Sequence, residues 1–472
     1  MNNKKIIHML ILMSSMFMTL IIYLTVTDLY YRDEYTSSNY NTRNAARETN
    51  TVRGTVFDRN NTVIAESVEN DGVMKRVYPY KNLYSHVIGY SSSIYGKSLL
   101  ESSYNNELTA NSDFISVANI KSLLSGEKKH GKNLTLTIDH ELQQKADSLM
   151  SKYTGSVIAM NPQTGEILAM VSKPDFNPDE EYLSRNWSKL ADSESSPFLT
   201  RATMGLYPPG STFKVLTTAA MLENNMQDKI VADDKGYITV GDKDIANAGK
   251  VYYGNTDLLL GFKKSSNVYF ADAAIEMQDE ILKNTAENFM FNKKINFKFP
   301  YSKSKFNTGK MSKGERAMTG IGQGKTLATP LHLAMIASAI ANDGTMMKPY
   351  IVSEIWSGSY SSQRTKPSVM KQCISQPYAQ KIKDLMSESV KSGTSSAAQI
   401  YGIQVCGKTG TAENEKTTDD PNKTHAVFIG FAPYDNPQIA VSVVLEYAGS
   451  SGGTIAAPIA REIMKNFFEI NK

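Results

Sequence analysis

A long apolar run near the N-terminus constrains this chain more than any other feature of its sequence. Ile6–Val26 is interrupted only by one histidine, two serines and two threonines, and Lys4 and Lys5 precede it. A helix of that length extends for about 31 Å, the thickness of one hydrocarbon core. A cleaved signal peptide would be shorter and would end in a pair of small residues, for which Thr25–Leu29 offers no match. We therefore expect an uncleaved membrane anchor.

The two lysines also predict how the chain lies across the membrane. Positive residues beside an apolar helix favour the cytoplasmic side, which places the N-terminus in the cytoplasm and everything after Asp28 outside the cell. The length of 472 residues exceeds one ordinary domain. We expect a cytoplasmic tip and anchor over residues 1–28, a small pedestal domain over 29–140 and a larger domain over 141–472.

Composition excludes several classes of protein. The 51 Lys and Arg against 47 Asp and Glu leave a net charge of +4, too little to indicate a nucleic-acid binder of this size. Cys373 and Cys406 are the only cysteines, which excludes a disulfide framework. The six histidines show no zinc-binding spacing, so we expect no metal site and no cofactor.

Hydrophobic periodicity predicts an α+β fold. Polar Tyr30–Thr51 is predicted to be a stalk or extended start, and Arg53–Ala65 a pair of strands. The other predicted elements are a strand Asn133–Asp139, a helix His140–Tyr153, a hairpin of Ser156–Met160 and Glu166–Ser172, helices Thr212–Glu223 and Pro330–Asn342, a hairpin of Ala426–Ala432 and Gln438–Glu446, and a helix Ala456–Phe468. This order of strands, helices and strands predicts that the first and last strands share one antiparallel sheet, with helices packed on it.

The sequence YPPGSTFK, Tyr207–Lys214, is the strongest candidate for chemistry. A Pro-Pro-Gly turn delivers Ser211 to the start of an apolar helix, where free backbone N–H groups stabilise negative charge. Lys214 lies one turn further on the same face. A serine is a nucleophile only when a neighbour takes its proton, and a buried lysine near another cation has a lowered pKa and serves as that base. A capping serine and a solvated lysine are the alternative, because the S-x-x-K pattern alone is weak.

Two further motifs favour the catalytic interpretation. Ser265-Ser266-Asn267 supplies a hydroxyl for proton relay and an amide to hold a substrate carbonyl. Lys408-Thr409-Gly410-Thr411 follows a predicted strand over Gly402–Cys406 and supplies a cation and hydroxyls for a carboxylate. A strand ending in glycine lets an extended substrate run alongside its backbone.

Three other patterns are weaker. Gly402–Thr409 matches a phosphate-binding loop, but its β-branched residues favour a strand and no helical pattern follows. Gly449–Gly453 matches a hydrolase nucleophile motif, but no histidine follows Ser451, so a flexible loop is expected. Gly320–Gly324 lacks the final glycine of a dinucleotide-binding motif.

Ser-x-x-Lys at a helix start, then Ser-x-Asn, then Lys-Thr-Gly is the set of motifs found in penicillin-binding proteins and serine β-lactamases. The chain resembles penicillin-binding proteins along nearly its whole length. It is most similar to class B, the monofunctional transpeptidases, since no region remains for the glycosyltransferase domain of class A. The likeness includes Arg53-Gly54 and Asp58-Arg59 in the pedestal. It differs where the family usually has glycine at Asn61 and Leu99 and a small residue at Cys406, which we expect to be a packing thiol.

The resemblance implies a penicillin-binding transpeptidase fold over 141–472 and a membrane-bound peptidoglycan D,D-transpeptidase. Ser211 is then the nucleophile that attacks a D-Ala-D-Ala stem peptide, with Lys214 as base, and backbone N–H groups of Ser211 and Thr411 form the oxyanion hole. Ser265 relays the leaving-group proton with Lys408 or Lys214 nearby, and Asn267 holds the substrate amide. Lys408, Thr409 and Thr411 bind the carboxylate beside Gly410. An amine of a second stem peptide resolves the acyl-enzyme.

The resemblance also implies partners and leaves alternatives. β-Lactams are expected to acylate Ser211 and to stay, because no E-x-x-L-N stretch supplies a deacylating carboxylate. A membrane glycosyltransferase is the implied protein partner, and no nucleic acid is expected. The alternatives are a D,D-carboxypeptidase on the same site, a non-catalytic penicillin sensor or scaffold, and a phosphate-loop nucleotide hydrolase that uses Lys408.

Overall fold

The N-terminal apolar segment is one long helix. The computed structural model describes residues 3–36, 51–70, 73–109, 129–241, 243–358, 361–417, 420 and 423–471. Within helix Asn3–Thr36, the Lys4–Thr27 segment contains 18 consecutive residues with a mean hydropathy of 2.2 and is long and apolar enough to cross a membrane. The predicted stalk is therefore wrong over 30–36, where the sequence has no Gly or Pro to end the helix. Residues 37–50 of that predicted stalk lie outside the described residues.

The remaining elements alternate in small groups along the chain. The strands are Thr51–Val52, Val56–Phe57, Val63–Asn70, Val73–Val77, Ser91–Ser92, Gly96–Lys97, Lys129–His130, Asn133–Leu136, Gly155–Met160, Ile167–Lys173, Val231–Asp233, Tyr237–Val240, Lys243–Ala246, Gly254–Thr256, Thr345–Met347, Val352–Ser357, Ser361–Arg364, Val369–Gln372, Cys406–Ala412, His425–Ala432 and Ile439–Leu445. The α-helices after the anchor are Ser85–Ile88, Leu99–Ser103, Asn105–Leu108, His140–Leu149, Glu180–Ala191, Arg201–Met204, Lys214–Glu223, Leu258–Lys264, Asn267–Glu276, Asp279–Asn288, Lys313–Gly320, Pro330–Ala341, Gln376–Ser392 and Ala457–Ile470.

A five-stranded antiparallel sheet, here called the central sheet, joins the two ends of the large domain. Its strand order is Ile167–Lys173, Gly155–Met160, Ile439–Leu445, His425–Ala432, Cys406–Ala412. Both predicted hairpins are confirmed with ends within one residue of those expected, and strand Gly155–Met160 pairs with Ile439–Leu445. The first and last strands therefore share one sheet, as predicted, and Cys406–Ala412 forms one edge.

Helices cover both faces of the central sheet. On one face His140–Leu149 and Ala457–Ile470 pack with Val157, Leu168 and Val443 into one apolar cluster. On the other face Pro330–Ala341, with all its side chains buried, packs against the sheet and belongs to the main core. Strands with both faces covered read as continuous apolar runs, as His425–Ala432 does.

The pedestal contains a second sheet, of six strands. Its order is Ser361–Arg364, Val352–Ser357, Asn133–Leu136, Val56–Phe57, Val63–Asn70, Val73–Val77. Residues from both sides of the predicted boundary at 140 thus pair in one sheet, with Ile355 opposite Leu134. The two parts of the chain are consequently joined by main-chain hydrogen bonds as well as by the connecting segment.

Asn61 and Leu99, the two departures from the family's usual glycines, occupy the same unusual backbone conformation. Asn61 has φ +67° and Leu99 has φ +48°, in the left-handed region where glycine has no steric cost. Asparagine tolerates this region, whereas leucine does so only under constraint from its surroundings. Cys406, the third departure, is fully buried, and burial raises the pKa of its thiol, as expected of a packing residue.

Candidate active site

Ser211 lies where a short 3₁₀ turn, Gly210–Phe213, leads into helix Lys214–Glu223. The α-helix begins two residues later than the predicted start at Thr212, because Thr212 belongs to the 3₁₀ turn. The hydroxyl of Thr212 donates to Pro209 O at 2.7 Å. Gly210 has φ +54°, and a Cβ there would lie 2.8 Å from Thr411 O. Only glycine lets this turn approach the edge strand so closely, and the approach sets Ser211 beside Thr411.

Lys214, the first residue of that helix, has no exposed surface. Its Nζ donates to Ser265 O and to Asn267 Oδ1, both at 2.7 Å, and lies 3.2 Å from Ser265 Oγ. The carbonyl and the amide oxygen are acceptors only. In a neutral amine these two contacts use both N–H groups, and the lone pair then faces the Ser265 hydroxyl.

The Ser265–Asn267 segment forms a tight break between two helices. Helix Leu258–Lys264 ends at Ser265, which has φ +57°, and Ser266 caps the next helix by accepting from Tyr269 N at 3.1 Å. Serine is a preferred residue at such a cap. The break directs the Ser265 carbonyl and the Asn267 side chain at the same amine.

Lys408 enters the site from the edge of the central sheet. The predicted strand over Gly402–Cys406 is wrong: Gly402 has φ +76° in a turn, and the strand runs from Cys406 to Ala412 with the Lys-Thr-Gly motif inside it. Lys408 is fully buried, and its Nζ donates to Ser265 Oγ at 2.9 Å and to Thr409 O at 3.2 Å. Among the described residues between this strand and His425–Ala432 there is a short 3₁₀ turn, Glu415–Thr417, and no α-helix, so the structure contradicts the phosphate-loop interpretation.

A groove of about 1030 Å³ runs beside this strand. The predicted site residues that line it are Ser211, Ser265, Asn267, Thr409, Gly410 and Thr411. Lys214 and Lys408 are buried and contact the groove through Ser265 and Asn267. The structure thus brings all eight predicted site residues together from three distant stretches of the chain.

The two lysines have unusual acidity. Burial, and then the charge of Lys408, hold the pKa of Lys214 well below its ordinary value. Burial alone lowers the pKa of Lys408 to about 7. Removal from water disfavours an ammonium, and two ammonium groups that share one serine disfavour each other. Two causes lower the pKa of Lys214 and one lowers that of Lys408, so the surroundings favour Lys214 as the neutral amine of the pair.

Ser211 Oγ and Lys214 Nζ are not hydrogen-bonded in the described part of the chain, although the proton-transfer hypothesis needs them to meet. Lys214 is instead held by Ser265 and Asn267. Catalytic hydrogen bonds are often long in a free enzyme and tighten when substrate binds. For proton transfer Ser211 Oγ must therefore approach an amine that already contacts Ser265 Oγ at 3.2 Å.

The remaining motifs have structural roles. Gly322, inside Gly320–Gly324, accepts from Gly210 N at 2.9 Å and so supports the nucleophile turn. The loop expected at Gly449–Gly453 is wrong at its end, because Gly452 and Gly453 begin a π-helical turn, Gly452–Ala456. Ser451 lines the groove, and its hydroxyl caps that turn by accepting from Thr454 N at 3.2 Å. No group of three or more metal-binding side chains occurs within the described ranges.

The sequence analysis missed two residues near the site. Thr394 lines the groove, and its hydroxyl accepts from Thr409 Oγ1 at 3.0 Å. It follows Lys391-Ser392-Gly393, a rival match to the Lys-Thr-Gly motif, so its position after that motif was the available signal. Asn247 is buried behind Asn267 and bonds its backbone N–H at 2.8 Å. Asn247 is one polar residue within a polar segment, so the sequence contains no pattern that indicates its position behind the site.

Comparisons with known proteins agree with this geometry. Residues 155–465 match the family model of the penicillin-binding protein transpeptidase domain, and residues 53–134 match that of the penicillin-binding protein A dimerisation domain. The chain is 32% identical to peptidoglycan D,D-transpeptidase PbpA of Mycolicibacterium smegmatis, over 93% of each chain. It is 29% identical to MrdA of Acinetobacter baumannii, over 82% of this chain and 65% of that protein.

Solved structures give the same result. A ceftriaxone acyl-enzyme complex of penicillin-binding protein A from M. tuberculosis superposes with a TM-score of 0.83 at 29% identity, over 89% of this chain and 99% of that one. The transpeptidase domain of an Eggerthella lenta protein superposes with a TM-score of 0.80 at 32% identity, over 89% and 99% of the two chains.

Proposed function

Because this chain belongs to the penicillin-binding protein transpeptidase family, we propose that its reaction proceeds through an acyl-enzyme on Ser211. The protein is a serine-type peptidoglycan D,D-transpeptidase of cell-wall synthesis and a target of β-lactams. One observation carries the assignment of roles: a fully buried lysine, Lys214, lies one turn after Ser211 with its amine 2.7 Å from each of two oxygen acceptors.

In the first step Ser211 Oγ attacks the carbonyl of the penultimate D-Ala, and Lys214 Nζ takes the hydroxyl proton. The base is effective because burial and the charge of Lys408 lower the pKa of Lys214, which favours the neutral amine over the ammonium. Asn267 holds this amine and the substrate amide. The new bond is the ester between Ser211 and the donor peptide.

Charge that develops on the carbonyl oxygen needs an oxyanion hole. Backbone N–H groups of Ser211 and Thr411 are suited to this role, because the turn that carries Ser211 lies close to the strand that carries Thr411. A Cβ on Gly210 would lie only 2.8 Å from Thr411 O. Loss of one oxyanion-hole donor in other enzymes lowers kcat by about 100- to 1,000-fold.

Departure of the terminal D-Ala requires a proton on its nitrogen. Ser265 Oγ supplies it, because the hydroxyl lies 2.9 Å from Lys408 Nζ and 3.2 Å from Lys214 Nζ, which replenish the proton. Lys408, Thr409 and Thr411 hold the carboxylate of that D-Ala until the C–N bond breaks. Gly410, buried between them, lets the substrate backbone lie along the strand.

In the second step an amine of a neighbouring stem peptide attacks the ester. Lys214 accepts the proton of this amine and passes it to Ser211 Oγ as the ester C–O bond breaks, so that Ser211 is free again and the new amide is the crosslink. β-Lactams mimic the donor and form the same ester, and no E-x-x-L-N stretch provides a carboxylate to activate water for their removal. The adduct is therefore long-lived.

The membrane helix suits a reaction at the outer surface of the cell membrane. We propose a single-pass topology with Lys4 and Lys5 in the cytoplasm and the active site outside, on the basis of the charge that flanks the apolar segment. We propose a membrane glycosyltransferase, which supplies the glycan strands, as the protein partner.

Product analysis tests the proposal. Purified protein is incubated with a D-Ala-D-Ala donor peptide and a second stem peptide that carries a free amine. We expect a crosslinked dimer and one equivalent of D-Ala for each crosslink, both abolished by Ser211→Ala. Release of D-Ala without dimer would indicate a carboxypeptidase, and acylation by penicillin with neither product would indicate a sensor or scaffold.

A further inference from the structure

Asn247 lies behind the active site, on a segment outside the three sequence motifs. Its side chain is 3% exposed, and its Oδ1 accepts from Asn267 N at 2.8 Å, from Val268 N at 3.1 Å and from Ser266 Oγ at 3.1 Å. The first N–H groups of a helix have no partner inside that helix. Asn247 therefore caps helix Asn267–Glu276 from a distant part of the chain and fixes the backbone that carries Asn267.

The orientation of the Asn247 amide is itself determined. Its Nδ2 donates to Asp233 Oδ2 at 2.6 Å and to Val251 O at 2.8 Å, and both oxygens only accept. Asp233, 2% exposed, also accepts from Gly236 N at 2.9 Å. The amide nitrogen of Asn247 must therefore face Asp233, which leaves its oxygen for the helix.

The neighbouring residue orients the side chain of Asn267. Asn267 Nδ2 donates to Ala246 O at 2.8 Å, so Asn267 Oδ1 must point the other way, toward Lys214 Nζ at 2.7 Å. A continuous series of hydrogen bonds thus runs from Asp233 through Asn247 and the helix start to the catalytic amine. Each link permits one arrangement of donor and acceptor.

We propose that Asn247 is a positioning residue for acylation, held by Asp233, and that it sets the direction of the Lys214 lone pair through Asn267. This inference rests on the proposed function, since it assumes that Lys214 is the base. The hydrogen bonds of the Asn247 side chain do not include Lys408, Thr409 or Thr411, so its loss is expected to leave the carboxylate-binding groups in place. The expected effect is on the rate of acylation and not on the affinity for the β-lactam.

Stopped-flow acylation by a fluorescent penicillin measures the two quantities separately, as the acylation rate constant and the dissociation constant of the prior complex. We expect Asn247→Ala to lower the rate constant by about 10- to 100-fold, because displacement of a catalytic group by about 1 Å has effects of that size. The dissociation constant should change less than twofold. Asn255→Ala, at an exposed position on the nearby strand Gly254–Thr256, is the matched control and should match the wild type in both.

A second set of variants separates positioning from loss of stability. Asn247→Asp alone sets a carboxylate against Asp233 and should slow acylation at least tenfold. Combining it with Asp233→Asn restores a hydrogen bond between the two side chains with donor and acceptor exchanged. Val251 O lacks its donor in both variants, so the combined variant should recover part of that loss. Melting temperature and active-site titration show the folded fraction of every variant, and rate constants are expressed per titrated site.

Two results would overturn the inference: an Asn247→Ala rate constant equal to that of the wild type, or a combined variant no faster than Asn247→Asp. A rise in the dissociation constant at an unchanged rate constant would also overturn it. Failure of the proposed function has a different signature, because the wild type itself would then remain unlabelled at Ser211.

Discussion

Lys408 Nζ lies 2.9 Å from Ser265 Oγ, although 143 positions separate the two residues in the chain. The same hydroxyl lies 3.2 Å from Lys214 Nζ, so one serine connects two buried amines. Burial disfavours both charges, and each charge disfavours the other. This arrangement keeps one amine neutral as a base and the other available as a cation, and it provides a base without histidine.

The charge of Lys408 should control the pH dependence of acylation. In the wild type the rate falls at low pH as Lys214 gains a proton, and substrate affinity falls above about pH 7 as Lys408 loses its own. Lys408→Gln removes one of the two causes that lower the pKa of Lys214, so that pKa rises and the acid limb moves to higher pH. The pH profile of penicillin acylation measures the shift.

Lys383→Gln is the control for this prediction, because Lys383 is also a buried lysine but pairs with Asp343 at 3.6 Å. Its acid limb should coincide with that of the wild type. An acid limb that stays in place in Lys408→Gln would show that the two amines are not coupled.

The hydroxyl of Ser265 should matter more than its backbone. Ser265→Ala keeps the carbonyl to which Lys214 donates and removes only the group shared by the two amines. Because a positioned proton-transfer group contributes about 100- to 10,000-fold, we expect a loss in that range in the rate of crosslinking. Ser353→Ala, which removes a hydroxyl bonded to Thr135 O in the pedestal sheet, should have no effect on the rate. An unaltered rate in Ser265→Ala would remove the relay from the mechanism.

The loop at Gly322 should be essential for the nucleophile turn. A Cβ on Gly322 would lie 2.0 Å from Gly210 O, so Gly322→Ala must displace the residue before Ser211. We expect acylation to slow by about 100-fold, as for other small displacements of reacting groups. Gly324→Ala is a close control: its φ of +78° matches the +77° of Gly322, but the nearest atom is 3.9 Å away. If Gly322→Ala and Gly324→Ala slowed acylation equally, backbone strain alone would explain the loss, and the contact with Gly210 O would have no role.

Glu101 should stabilise the pedestal. It is fully buried, accepts from Arg53 Nε at 2.5 Å and from Arg76 Nε at 2.8 Å, and the two guanidinium groups lower its pKa to about 2 in spite of burial. Glu101→Gln leaves two buried cations without their counterion, which typically lowers the free energy of unfolding by about 3–5 kcal/mol.

Denaturant unfolding measures this change. Glu107→Gln, which breaks a more exposed pair with Lys298, should cost less than about 1 kcal/mol. Penicillin acylation of folded Glu101→Gln should equal that of the wild type. Similar stabilities of the two variants would contradict the structural role of Glu101.

Local patterns determined which parts of this structure could be predicted. The hairpins around Asn161–Gly165 and Pro433–Pro437 and the helix Pro330–Ala341 follow from runs of apolar residues and their turns. The meeting of the three motifs in one groove could be predicted, because their order along the chain is distinctive. The start of the edge strand at Cys406 was missed, because β-branched residues before it resembled a strand while Gly402 forms a turn.

Long-range pairing could not be predicted from local patterns. Strand Val352–Ser357 joins the pedestal sheet by pairing with Asn133–Leu136. Tertiary contacts, and not the local sequence, determine which strands pair. The role of Asn247 could not be predicted for the same reason. It depends on contacts with Asp233 and Asn267, which the fold brings together and no local sequence pattern indicates.

The identity of the nucleophile is the central claim, and mapping of a penicillin adduct tests it most directly. Purified protein is incubated with penicillin, digested and analysed by mass spectrometry, beside Ser211→Ala and a Ser451→Ala control. We predict one adduct of the full mass of penicillin, on Ser211, present in the control variant and missing from Ser211→Ala. An adduct on any other residue, or equal labelling of Ser211→Ala, would contradict the account.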